Sequence, residues 1–139
     1  MDRDELAEYF HMIANGKLQT HIVTQDSYMT AILDIDPINV GHVLILPKAK
    51  KQEFLELNDD ELLSLTSMVK EISGAINEIY SPQGISLMQN GGANSELNYF
   101  HFHVFPRFEG DDFDWVSNGV REYSLKGHLK KFIEYFNKA

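Results

Sequence analysis

The sequence contains no cysteine, which excludes disulfide cross-links and thiolate metal sites. Positive charge is scarce: 12 Lys and Arg face 21 Asp and Glu, for a formal charge of −9. Nucleic-acid backbones are gripped by clustered Lys and Arg, so this balance argues against a nucleic-acid surface, and the acidic surplus reads as solvated exterior. No run of 18 apolar residues occurs, so no membrane span is expected. The acidic start Met1-Asp2-Arg3-Asp4-Glu5 is the opposite of a basic secretory leader, and a soluble, cytoplasmic protein is expected. Internal repeats and low-complexity tracts are also missing. What remains is a chain of 139 residues, 43% hydrophobic, sized for a single domain over residues 1–139.

The informative stretch is Asn98-Tyr99-Phe100-His101-Phe102-His103-Val104-Phe105-Pro106-Arg107. Ring-bearing and apolar residues alternate, so as a strand it places Tyr99, His101 and His103 on one face and Phe100, Phe102 and Val104 on the other. Two imidazoles two residues apart stand roughly 6 to 7 Å from each other at Cβ, a spacing that suits one phosphate. Three readings fit those residues. The pair is structural, half-buried opposite an aromatic face. Or it ligates a metal, which without cysteine needs further His, Asp or Glu ligands. Or one histidine is a nucleophile, its imidazole already part-neutral near physiological pH.

The coarse pattern predicts an α+β domain with a mainly antiparallel sheet of about five strands. Leu6, Tyr9, Phe10 and Ile13 give a short amphipathic helix over residues 2–14, stopped at Asn15-Gly16. His21–Thr24 and Tyr28–Leu33 read as a hairpin, Val43–Leu46 as a central strand headed by Gly41-His42, and Gly84–Gln89 as a further strand. Between them, Leu62, Leu65, Met68, Val69, Ile72, Ile76 and Ile79 predict one long helix over 58–80 packed on the sheet, with Asn58 as its N-cap. Leu125, Leu129, Phe132, Ile133 and Phe136 form the stripe of a C-terminal helix. Residues 108–123 mix aromatics with acids, as expected of a surface segment that covers the site or meets another subunit. The Asn90-Gly91-Gly92-Ala93-Asn94-Ser95-Glu96 loop suits either a plain connection or amide donors for an anion.

Together, Asp34-Ile35-Asp36-Pro37-Ile38-Asn39-Val40-Gly41-His42-Val43-Leu44-Ile45-Leu46-Pro47-Lys48 and Phe100-His101-Phe102-His103-Val104-Phe105-Pro106-Arg107 closely resemble the histidine triad family of nucleotidyl hydrolases and transferases. The resemblance spans about Ile22 to Arg107, with Tyr99 where the family has its first triad histidine. It implies hydrolysis of a nucleotidyl ester, anhydride or phosphoramidate at the α-phosphate, with a purine nucleotide or dinucleotide as substrate. His101 would be the nucleophile, His103 a stabiliser of phosphate charge, and His42 a neighbour of His101. Asp34 would accept from ribose hydroxyls, Ile32 and Ile35 would line the base pocket, and Asn90, Ser95 and Glu96 would border the phosphates. Tyr99 would help to position His101. Ser95-Glu96 stands where the family commonly has a Gln-Ser pair, and the Glu96 carboxylate would repel an anion. The family reading requires no cofactor and no metal, and implies a homodimer. A nucleotide-binding sensor with little turnover and a metal-dependent hydrolase on His42, His101 and His103 are the rivals.

Overall fold

A computed structural model describes residues 2–18, 21–120 and 125–138. Helix α1 (Arg3–Ala14) is started by Asp2, whose side chain accepts from the Glu5 amide, and it buries Ala7, Ile13 and Ala14. Strands β1 (Ile22–Gln25) and β2 (Met29–Leu33) form the expected hairpin, with Asp26 tying the turn by accepting from the Tyr28 and Met29 amides. Strand β3 (Val43–Pro47) follows, then helix α2 (Asp59–Tyr80), strand β4 (Gly84–Met88), strand β5 (Phe102–Arg107) and helix α3 (Leu125–Phe136). The five strands lie in the order β1-β2-β3-β5-β4, and every neighbouring pair is antiparallel. The α+β architecture is therefore as the pattern predicts, with β3 central.

Helix α2 is capped reciprocally: Asn58 accepts from the Glu61 amide and the Glu61 carboxylate accepts from the Asn58 amide. Its stripe of Leu65, Met68, Ile72 and Ile76 covers Met29, Ala31, Val43, Ile45, Phe100 and Val104. The stripe does not run on through Ile79, which is 68% exposed. A 3.6-residue turn brings Tyr80 round instead, and Tyr80 packs on the core while its ring closes over Gly41. Gly41 has φ +90°, and a Cβ there would lie 2.6 Å from that ring, so the position demands glycine.

On the opposite face of the sheet, α1 covers Ile32, Leu44, Leu46 and Tyr99. Strand β5 starts at Phe102, three residues later than the alternation suggests. Upstream of it the chain bonds to the segment after β3: the Phe100 amide donates to the Lys51 carbonyl at 2.7 Å and the Tyr99 hydroxyl donates to the Pro47 carbonyl. Face alternation nevertheless persists through 99–101, because Tyr99 and Phe100 enter different clusters. The apolar stripe of α3 is exposed along its length, with Phe132 65% and Phe136 77% accessible. Residues 121–123 of the expected surface segment lie outside the described residues. Among the described residues, no helix is long and apolar enough to cross a membrane.

Candidate active site

The β2–β3 connection explains why two distant-looking residues meet. Leu33 pairs with Val43, so Asp34 and His42, one residue beyond on each strand, face each other, and the Asp34 amide donates to the His42 carbonyl at 2.9 Å. On the other side of β3, Leu44 pairs with His103. Side chains two residues apart share a face, so His42 and His103 converge diagonally. His42 Nε2 lies 2.9 Å from His103 Nδ1, and Asp34 Oδ2 lies 3.6 Å from His42 Nε2. The expectation that His42 stands beside His101 is corrected: it touches His103, and His101 joins through His103, whose ring centre is 5.0 Å from its own.

Hydrogen bonding fixes the tautomers. The Ile38 amide donates to His42 Nδ1 at 2.9 Å, so His42 carries its hydrogen on Nε2. That hydrogen points to His103 Nδ1, which places the His103 hydrogen on Nε2. His101 is set the other way: its Nδ1 is 2.9 Å from the Tyr99 backbone carbonyl, which only accepts, so Nδ1 carries the hydrogen and Nε2 keeps its lone pair. One imidazole thus offers a nucleophilic nitrogen and its neighbour offers an N–H.

Burial keeps the pair neutral. His103 is 5% exposed, and removal from water pushes its imidazole down to about 3, with the neighbouring His101 and His42 pressing the same way. His42 is also lowered, chiefly by burial, with the carboxylates of Asp34 and Glu96 pulling in the opposite direction. As a neutral donor, His103 Nε2–H still serves an anionic oxygen.

Tyr99 works from behind. Its ring is buried under α1 and its hydroxyl is tied to the Pro47 carbonyl, so its contact with His101 is through the main chain. Burial raises the phenol further above its ordinary range. Of the two isoleucines expected to face a base, Ile35 is 83% exposed, whereas Ile32 is packed into the core under α1 and offers little surface to a ligand. The Asn90–Glu96 loop also differs from expectation. The Asn94 and Ser95 amides donate back to the Gly91 and Gly92 carbonyls in a 3₁₀ turn, and the Ser95 hydroxyl donates to the Leu97 carbonyl at 2.6 Å. The Gly92 amide is taken by the Glu53 carboxylate at 3.1 Å. Glu96 is exposed and Asn90 half-buried.

Asp34, His42 and His103 present ligand atoms all within 4.8 Å of one another, a different set from the three histidines weighed as a metal site. The tautomers oppose a cation there. To give a lone pair from Nε2, His42 must move its hydrogen to Nδ1, where the Ile38 N–H already points. Sequence reasoning missed the roles of Asn39, Asp111 and Arg107, which brace this corner; the signal was an amide inside the first motif and an acid four residues past the second.

The family model described as "HIT domain" matches residues 15–110. The chain belongs to the HIT family. An uncharacterized HIT-like protein of Methanocaldococcus jannaschii is 38% identical over 104 residues, covering 73% of this chain and 80% of that one. A crystal structure of a HIT family protein from Bacillus anthracis superposes with a TM-score of 0.81 at 30% identity, over 93% of this chain and 96% of that one. An adenosine 5'-monophosphoramidase of Schizosaccharomyces pombe is 29% identical over 100 residues, 70% of this HIT chain and 72% of the relative.

Proposed function

We propose that this HIT protein is a nucleotidyl hydrolase that cleaves at the α-phosphate of AMP-type esters, anhydrides such as dinucleoside polyphosphates, or phosphoramidates. The observation that carries the reading is the opposed tautomer pair, a lone pair on His101 Nε2 beside an N–H on His103 Nε2. His101 Nε2 attacks the α-phosphorus in line; the new P–N bond forms as the bond to the leaving group breaks, and that group departs with the electron pair and is protonated from solvent. Water then attacks phosphorus, the P–N bond breaks, and a nucleoside monophosphate leaves with His101 restored. His103 Nε2–H holds a non-bridging oxygen, on which negative charge is concentrated as the P–N bond forms. Asp34 and exposed Ile35 meet ribose and base. The activity named for the fission-yeast relative supports an AMP donor as substrate class.

Incubation with a donor carrying label in the AMP moiety tests the scheme: an acid-labile adduct on His101 that chases to free AMP is expected. Activity lost to a chelator and restored by Zn²⁺ would instead establish the metal-dependent reading. Glu96, whose charge reaches His42, favours the sensor reading, and tight nucleotide binding with neither adduct nor product would establish it. The exposed apolar stripe of α3 and the outer edge of β4, which has no strand beside it among the described residues, support a homodimer, which light scattering on the full chain checks.

A further inference from the structure

The turn that aims His42 is itself held from outside the site. Asn39 uses both hydrogens of its amide: Nδ2 donates to the Pro106 carbonyl on β5 and to Asp111 Oδ2 just beyond that strand, each at 2.9 Å. The Asn39 carbonyl accepts from the His42 amide at 3.2 Å, and the preceding residue supplies the Ile38 N–H that meets His42 Nδ1. Asp111 is saturated. Its Oδ2 accepts from Arg107 Nε at 2.8 Å and from the Phe108 amide at 3.0 Å, and its Oδ1 from Arg107 Nη2 at 2.9 Å and from the Phe113 amide at 3.3 Å. The carboxylate is 7% exposed, and Arg107 also donates to the Ser86 hydroxyl at 3.2 Å on β4.

A turn aspartate is satisfied by local amides and one arginine. The additional bond to Asn39 crosses 72 residues and ties the turn before His42 to the segment just beyond the strand that carries His103. Hydrogen bonds weaken steeply with misalignment, so a shift of about 1 Å at Asn39 withdraws the Ile38 N–H and frees His42 to take its other tautomer. His42 then has no Nε2 hydrogen to give, and His103 loses the constraint on its own.

We propose that Asn39 and Asp111 are positioning residues for the His42–His103 pair: by bolting the 38–42 turn to β5 they dictate which nitrogen of His103 carries its hydrogen. Their effect on turnover rests on the function proposed above; their effect on the tautomers does not. Side-chain nitrogen spectra of the ¹⁵N-labelled full chain test the idea first in the unaltered protein. At about pH 7 both His42 and His103 are expected as Nε2–H tautomers, and an Nδ1–H form of either overturns the proposal. Asn39→Ala is expected to mix the His42 tautomers and lower kcat by roughly 10- to 100-fold, with KM changed by less than about threefold. Asp111→Asn, nearly isosteric, is expected to move the spectra the same way with a smaller loss of rate. A clamp that merely supports the fold would lower Tm and leave the tautomers alone; that outcome in either folded variant refutes the proposal. If no donor is turned over but the tautomers shift as stated, only the enzymatic reading fails.

Discussion

Strand β5 serves two faces of the same sheet under different rules. Toward α2 it sends Phe102 and Val104 into a cluster with Ile45, Leu65 and Ile72, where what counts is volume and the exclusion of water. Toward the other face it sends His103 and Phe105, and there direction decides: both nitrogens of His42 and Nδ1 of His103 have an assigned donor or acceptor. The apolar face tolerates replacement by anything of similar shape. The histidine face does not tolerate even an isostere, because moving one hydrogen along the Ile38–His42–His103 chain reverses the polarity of every later link.

The sharpest way to separate the faces is His101→Ala. Loss of the attacking nitrogen is expected to lower kcat by about 10⁴-fold or more while nucleotide binding stays within about tenfold; single-turnover assays against an AMP amidate together with binding calorimetry read both. Ile72→Ala should do the reverse. A buried aliphatic truncation costs roughly 2 to 5 kcal/mol of stability, seen as a lower urea midpoint, with kcat unchanged in the protein that remains folded. If kcat fell in step with stability, the two faces would not be independent.

Asp34→Asn probes the rim of the histidine face. Its carboxylate accepts from the Asp36 amide at 2.9 Å through Oδ1 and keeps Oδ2 toward His42. Binding of ribonucleotides should weaken by roughly 1.5 to 3 kcal/mol, the range for bonds to a charged group, and binding of 2′,3′-dideoxy analogues should weaken less. Equal losses measured by titration calorimetry would make Asp34 a turn residue. Tyr99 gives the smallest effect. Tyr99→Phe removes the bond to the Pro47 carbonyl and should cost about 1 to 1.5 kcal/mol of stability with little change in kcat. Tyr99→His should not raise the rate, because this position reaches His101 through its carbonyl; a gain of about 10²-fold would show that a titrating group is wanted there.

Acid titration compares the faces without mutation. His103 titrates at about 3 when folded and near 6.5 when unfolded, so between those limits the unfolded chain binds the extra proton. Stability should therefore rise with pH through that window and level off above it, and His103→Gln should flatten the slope in thermal unfolding measured from about pH 4 to 8.

Much of this was legible in the sequence, for identifiable reasons. The 3.6-residue stripe and the Asn58 cap located α2, and the alternation through 99–105 assigned both faces of β5, since these signals are local. Register is not local. Whether His42 meets His101 or His103 depends on Leu44 pairing with His103 and not with His101, a two-residue step of strand alignment that no residue advertises. The loop, left open between a plain connection and an anion site, turns on a related point: Gly91 and Gly92 signal a close approach, and the anion that approaches Gly92 is the Glu53 carboxylate, 39 residues away. Asn39 and Asp111 escaped notice because their importance lies in a bond to each other across the fold.

The strand order carries a consequence for how the molecule comes into being. β5 is the last strand made, yet it lies between β3 and β4, so before it arrives β4 has no neighbour and β3 has an open edge. His42 and His103 are separated by 61 positions, and closing so long a loop is slow compared with forming the β2–β3 hairpin. A nascent chain that has emerged only as far as Asn98 has its helix caps and its first hairpin within reach but, of the histidine pair, holds His42 without His103. Chemistry at this surface therefore begins only when the sheet is closed by its last strand, and a partly made chain is inert.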